Sequence, residues 1–381
     1  MKISFSATNP CHIYDQALSL FDLGHLGTFF SGYPRWRLKP PVGMPVVPVS
    51  SRTLITYGFQ RMPEWLRPPD DKLFRWQDRG FDQSVASRLT RERTDMIHGL
   101  PGQALETFRR AKALGIPCVL NHASGPVAQQ RELVRPEYER VGINLEKNQP
   151  LPAEWASRLG EEMQLADRHC VASSVVRDQL VNDGVDPGQI WVVPYGLDEM
   201  LFEKRQKVPD GPFRICFAGR QSLRKGITYL LKAFEQCAHA NWELHLFGMP
   251  LAESRADFSN YKGRAKIIQH GALSQGDFAT SLRKMHVLVL PSAEEAFGLV
   301  VVQALQCGVP CLVSDRVGAK DLIRPNQTGD IFPFGDSGAL AELLSKWEQD
   351  RVQVEDHFPR RASAERLLSF CQAYPKKEGG V

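Results

Sequence analysis

Short apolar runs alternate with longer stretches of helical period along most of the chain. In the first half the pattern predicts strands at residues 2–8, 26–33, 96–98, 116–120, 168–173 and 190–194. Helices are predicted at 14–23 and at 104–114, the second closed by Gly115. The second half repeats the alternation, with strands at 213–218, 242–247, 266–268, 286–290 and 310–314, and helices at 227–238, 275–284, 298–307 and 337–347. Strands that alternate with helices in this way predict parallel sheets with crossover helices. Between the halves, residues 194–211 read as a linker, with Pro194-Tyr195-Gly196, a charged run and Pro209-Asp210-Gly211-Pro212. Residues 34–69, rich in Pro, Arg and Trp, show no clean period and read as irregular packing or a loop near a partner. Residues 360–374 read as an amphipathic helix with Leu367, Leu368 and Phe370 on one side.

Length turns this pattern into an architecture. At 381 residues the chain exceeds what one core usually supports, so two α/β domains facing each other across a cleft are expected. The apolar share of 43% and the charged share of 24% are those of a soluble globular protein. A net charge of +4, spread along the sequence, lacks the basic stripe that nucleic acid requires, yet suits an enzyme handling anionic diphosphates. The eight cysteines include no Cys-x-x-Cys pair, so reduced thiols in a cytoplasmic protein are expected and a zinc site is not. The amino terminus lacks the basic start and apolar core of a signal peptide. No apolar run approaches the ~20 residues that span a bilayer. At most the chain touches the inner face of a membrane peripherally, with Tyr33-Pro34-Arg35-Trp36-Arg37 as the candidate contact with a membrane or an acceptor.

Candidate chemistry concentrates in two places. In Leu290-Pro291-Ser292-Ala293-Glu294-Glu295-Ala296-Phe297-Gly298-Leu299, an apolar strand runs through an acidic loop into a helix start. Amides at such a start lack intrahelical acceptors, and with the helix dipole they favour phosphate. Glu295 is placed to accept hydrogen bonds from sugar hydroxyls, and Gln303 follows about two turns on; capping of the helix by Glu294 and Glu295 is the plainer alternative. In Phe217-Ala218-Gly219-Arg220-Gln221-Ser222-Leu223-Arg224-Lys225-Gly226, a strand ends at a glycine and three cations follow. Arg220 suits bidentate contact with phosphate oxygens and Lys225 a point charge, against the alternative of a solvated basic loop.

These motifs, with Gln303-Ala304…Cys307-Gly308-Val309-Pro310, Ala166-Asp167-Arg168…Ala172-Ser173-Ser174 and Val192-Val193-Pro194-Tyr195-Gly196-Leu197-Asp198, resemble the donor half of family-4 retaining glycosyltransferases (glycosyl transferases group 1), which have the GT-B fold. The resemblance spans residues 166–347, about half the chain, and the first half matches weakly, through His98-Gly99 and Asn121-His122. It implies two Rossmann-like domains: an acceptor domain at 1–200, with 360–381 crossing back onto it, and a donor domain at 211–359. It implies that Arg220 and Lys225 bind the donor diphosphate, that Glu295 contacts the transferred sugar, and that Phe297, Gly298 and Leu299 offer backbone amides, with Gly219 and Ala296 beside them. His122 resembles the histidine that lies near the sugar, and His98 and Asn121 are candidate sugar or acceptor contacts. Two positions depart from the family pattern. Gln303 stands where a glutamate usually holds the ribose, a change worth on the order of 1 kcal/mol. Asn9-Pro10-Cys11-His12 stands where many relatives carry a glycine-rich loop.

The expected activity is transfer of a sugar, with retention, from a nucleoside diphosphate sugar to a hydroxyl of a saccharide, lipid-linked glycan or small metabolite. No metal or other cofactor is expected, and Asp70-Asp71 is read as solvated. The alternatives are a catalytically weak or silent nucleotide-sugar-binding protein and a GT-B epimerase or phosphorylase. A dinucleotide oxidoreductase is disfavoured, because no Gly-x-Gly-x-x-Gly follows the first strand.

Overall fold

The computed structural model describes residues 1–148 and 151–375. Seven strands make the first sheet: β1 (Ile3–Ala7), β2 (Leu26–Ser31), β3 (Val46–Pro48), β4 (Met96–Gly99), β5 (Cys118–His122), β6 (Arg168–Val171) and β7 (Ile190–Val192). Six make the second: β8 (Phe213–Ala218), β9 (Trp242–Phe247), β10 (Lys266–Gly271), β11 (Val287–Leu290), β12 (Cys311–Ser314) and β13 (Gly329–Phe332). Their spatial orders are β3-β2-β1-β4-β5-β6-β7 and β10-β9-β8-β11-β12-β13. Pairing is parallel throughout both sheets. Helices cover both faces, which is why central strands such as Val287–Leu290 are buried along their whole length and read as unbroken apolar runs.

Each sheet is wound outward from its first strand in both directions, so the winding reverses between β1 and β4 and again between β8 and β11. The loops leaving these strands diverge there and open a crevice at the carboxyl ends, where open α/β sheets hold ligands. Two strands of chain join the halves. The Leu197 N–H donates to the Phe358 carbonyl and the Arg360 N–H donates to the Leu197 carbonyl, both at 2.9 Å. The last helix, Arg360–Ala373, then packs Ala364, Leu367 and Cys371 against Ile13, Ala17 and Leu20 of the first helix, His12–Asp22. The expected return onto the first half is thus present over Arg360–Ala373; residues 376–381 lie outside the described residues.

The chain between residues 34 and 69 corrects the irregular reading. It holds helix Arg35–Leu38, strand β3 and helix Ser51–Gln60. Asp70-Asp71 opens a 17-residue helix, Asp70–Ala86, and Asp71 pairs with Arg75 at 2.6 Å. Among the described residues no cysteine is in a disulfide and six of the eight are buried. No described helix is long and apolar enough to cross a membrane.

Candidate functional site

β8 ends beside Gly219, whose φ of 143° lies where glycine is favoured and whose N–H donates to the Phe247 carbonyl at 2.9 Å. Arg220 follows, exposed, its carbonyl accepting from the Ser222 N–H at 2.9 Å and its side chain without a hydrogen-bond or ion-pair partner among the described residues. The loop then folds against the loop that leaves β11. The Ala293 N–H donates to the Arg224 carbonyl at 2.8 Å, and a Cβ on Gly226 would collide with the Pro291 carbonyl. The two loops flank the crevice where the second sheet reverses.

Two adjacent ion pairs join these loops. Arg224 donates through Nε at 2.7 Å and Nη2 at 2.6 Å to Glu294 Oε2, and Glu294 is 1% exposed. Lys225 Nζ pairs with Glu295 Oε2. Burial, and then the neighbouring Arg224 charge, push the Lys225 ammonium down to about 8, with Glu294 opposing. Glu294 and Glu295 therefore face cations and leave the helix start uncapped. The helix Leu299–Gln306 begins after Gly298, which has a φ of 92°. Among the described residues the N–H groups of Phe297, Gly298, Leu299 and Val300 find no acceptor. Free amides at a helix start, an arginine side chain without a partner and a lysine held by a carboxylate, from two loops, are groups suited to holding an anion. Gln303, half-buried, lies one turn beyond the exposed Leu299 on the same helix face.

The first sheet reaches this site directly. Ser173, at the end of β6, donates its hydroxyl to the Ala296 carbonyl at 2.6 Å, and Ser174 donates from Oγ and N to Asp321 at 2.6 and 2.7 Å. Phe297 meets Tyr195 edge-on at 5.0 Å, and Tyr195 stacks on His12 at 4.2 Å. The helix Val127–Arg140 closes a further side: Tyr229 donates to Glu137 at 2.7 Å, Tyr138 to Glu253 at 3.1 Å, and Val134 and Tyr138 pack with Leu223 and Ala293.

The first-half candidates divide. His122 ends β5, but its ring is 4% exposed and its Nε2 lies 3.0 Å from His169 Nδ1; burial, with His169 adding to it, pushes its pKa down to about 3. His98 has no exposed surface, leans on Phe5 at 4.8 Å, and is pushed down to about 3 by burial. A ring so enclosed does not fit the expected direct contact, and His98 belongs to the core. Asn121 donates to Gln16 at 3.2 Å while its Oδ1 has no partner. The residue missed from sequence is His12. With Gln16, Tyr195, Leu299, Arg360 and Ser363 it lines a small cavity between the halves, and the buried His12 Nε2, Gln16 Nε2 and Ser363 Oγ are unpartnered. Burial pushes His12 down to about 4, with the neighbouring Asn121 side chain opposing. The available signal was the replacement of the glycine-rich loop by Asn9-Pro10-Cys11-His12.

The loops leaving β9 and β10 complete the rim. His270 stacks on Phe247 at 4.4 Å, Gln221 and Gln269 exchange hydrogen bonds at 2.6 and 3.0 Å, and Met249 is exposed.

Comparison with known proteins places this geometry. The sequence profile of the glycosyl transferases group 1 family matches residues 199–364. A lipopolysaccharide 1,6-galactosyltransferase of Escherichia coli is 28% identical over 213 residues, 51% of this chain and 56% of that protein. A D-inositol 3-phosphate glycosyltransferase of Catenulispora acidiphila is 28% identical over 260 residues, 61% of this chain and 60% of that one. The matches thus span little more than half the length of these relatives. Among solved structures, the apo lipopolysaccharide outer core galactosyltransferase WaaB superposes with a TM-score of 0.66 at 15% identity, over 98% of this chain and all of that one. Anabaena Alr3699/HepE in complex with UDP-glucose gives 0.67 at 14% identity, with the same coverage. With two parallel sheets of GT-B architecture, the chain is similar over residues 199–364 to the glycosyl transferases group 1 family.

Proposed function

We propose that the protein transfers a glycosyl unit from a nucleoside diphosphate sugar to an acceptor hydroxyl, with retention of anomeric configuration. The observation that carries the reading is the convergence at one crevice of unpaired Arg220, of Lys225 and of the free amides of residues 297–300. In this reading Arg220 and Lys225 hold the diphosphate, and Lys225 exchanges its carboxylate partner for phosphate oxygens when the donor enters. Glu295, released, accepts hydrogen bonds from the sugar hydroxyls. Gly219 allows close backbone approach, Ala296 and Phe297 shape the sugar pocket, and Gln303 accepts from the ribose. The UDP and UDP-glucose complexes of the HepE neighbour support a sugar nucleotide as the ligand.

As the bond between the sugar and the diphosphate breaks, negative charge grows on the leaving oxygen. Arg220, Lys225 and the helix start stabilise that charge, an effect that increases toward the transition state. The acceptor hydroxyl attacks from the same face and its proton passes to the departing diphosphate. No divalent ion takes part in this reading. His122, neutral and buried, acts as a positioning residue: it fixes the end of β5, and its carbonyl lies 3.5 Å from the Tyr195 hydroxyl. The first half, residues 1–200, binds the acceptor, and 211–359 binds the donor.

Gln303 favours a second reading, a silent sugar-nucleotide-binding protein. Incubation with a panel of sugar nucleotides and of saccharide and lipid-linked acceptors separates the two. Acceptor-dependent release of nucleoside diphosphate, with an α-donor giving an α-product by NMR, supports transfer. Binding without acceptor-dependent release supports the second reading.

A further inference from the structure

Sixteen large apolar side chains stand exposed among the described residues, and nine of them fall between Trp36 and Trp76. Trp65 is 81% exposed, Trp36 69% and Val42 fully. The helix Ser51–Gln60 is inverted: it buries Thr53 and Thr56, whose hydroxyls have no partner, and turns Leu54 and Ile55 to solvent. In water this arrangement is unfavourable, and a concentration of exposed apolar side chains of this kind marks a surface that another phase covers.

The elements are locked into one surface. The Arg37 guanidinium lies over the rings of Tyr33 and Tyr57, at 4.8 and 4.6 Å, and so joins helix Arg35–Leu38 to helix Ser51–Gln60. Arg52 lies 4.7 Å over Trp76 and donates to its carbonyl at 2.7 Å, joining that helix to Asp70–Ala86.

Charge identifies the occupant. Residues 35–79 contain nine Arg and Lys against four Asp and Glu, a net of +5, whereas the whole chain nets +4 and the remainder therefore −1. Arg35, Arg37, Lys39, Arg61 and Lys72 are exposed and have no acidic partner among the described residues. Pairing with a second copy would set +5 against +5. Tryptophans interleaved with unpaired cations, around exposed aliphatic side chains, match an anionic bilayer: indoles sit at the headgroup level, aliphatics reach the acyl boundary and cations meet lipid phosphates.

We propose that the surface formed by residues 33–79 docks the protein on an anionic lipid bilayer. This inference stands apart from the transferase reading, since it uses none of the crevice residues and its test needs no activity. Co-sedimentation of the full chain with phosphatidylcholine vesicles, with and without phosphatidylglycerol, tests it. Wild type is expected to pellet with the anionic vesicles alone, with tryptophan emission shifted to the blue and quenched by brominated acyl chains. Trp36→Ala with Trp65→Ala, and separately Lys39→Glu with Arg61→Glu, are each expected to weaken binding about tenfold or more, the charge pair losing it in proportion to anionic lipid. Circular dichroism of each variant confirms that the fold is retained. Absence of binding to anionic vesicles, or binding unchanged in both folded variants, overturns the proposal. So does concentration-dependent dimerisation that the tryptophan pair abolishes while vesicles do nothing, which assigns the face to a second copy.

Discussion

Arg224 Nε lies 2.7 Å from Oε2 of Glu294, a carboxylate that is 1% exposed and whose other oxygen has no partner. One position along in both loops, Lys225 meets Glu295. Neighbours in sequence thus serve different ends: the first pair fastens the two crevice loops together, and the second holds a cation and a carboxylate at the crevice itself.

Removing Arg224 leaves the buried Glu294 carboxylate without its counter-charge. Arg224→Ala is expected to lower unfolding free energy by about 3 kcal/mol, read from urea denaturation, with Arg224→Lys recovering part of it. A change within error would mean that the pair contributes nothing to loop attachment.

Gly298 combines a φ of 92° with close walls, since a Cβ there would lie 3.0 Å from Leu290 Cδ2 and 3.3 Å from Val317 Cγ1. Gly298→Ala is expected to cost roughly 1–2 kcal/mol from the left-handed backbone alone. Displacement of the free amides should also weaken nucleoside diphosphate binding about tenfold. Calorimetry and thermal unfolding on the same sample check both; unchanged affinity would remove the helix start from the site.

The buried histidines set a pH dependence. His98 and His122 are pushed from 6.5 down to about 3 in the folded chain, so the unfolded chain takes up their protons first. Their neutral-state stabilisation is complete above pH 6.5 and is lost progressively as pH falls from there toward about 3. The unfolding midpoint should therefore drop across that window, and His98→Leu should flatten the slope. An equal slope in wild type and variant would contradict the burial of a neutral ring.

Much of the fold was legible because parallel strands buried on both faces read as apolar runs, as in Val287–Leu290 and Phe213–Ala218. β13 escaped because Asp330 sits within its four residues, turned to Lys346 and Trp347 at 2.8 Å. The helix Val127–Arg140 escaped because it contains Pro136 and buries only Val134, Glu137 and Tyr138, too thin a stripe to show a period. At the crevice, the two loops announced themselves by glycine, cation and helix-start signals. Which glutamate faces which cation depends on how two loops distant in sequence meet, and no spacing within either loop encodes that. The same holds for His98 and His122, whose strand-end positions in the sequence do not reveal which way the rings turn.

Whether Arg220, Lys225 and the amides of residues 297–300 hold a nucleoside diphosphate is tested most directly by calorimetric titration of UDP, GDP, ADP and dTDP into wild type and Arg220→Ala. Saturable binding of at least one nucleotide by wild type is predicted, with a loss of about tenfold or more in the variant, as expected when a charge-assisted contact is removed. Binding of equal strength to both proteins, or to neither, would contradict the placement of the donor site at this crevice.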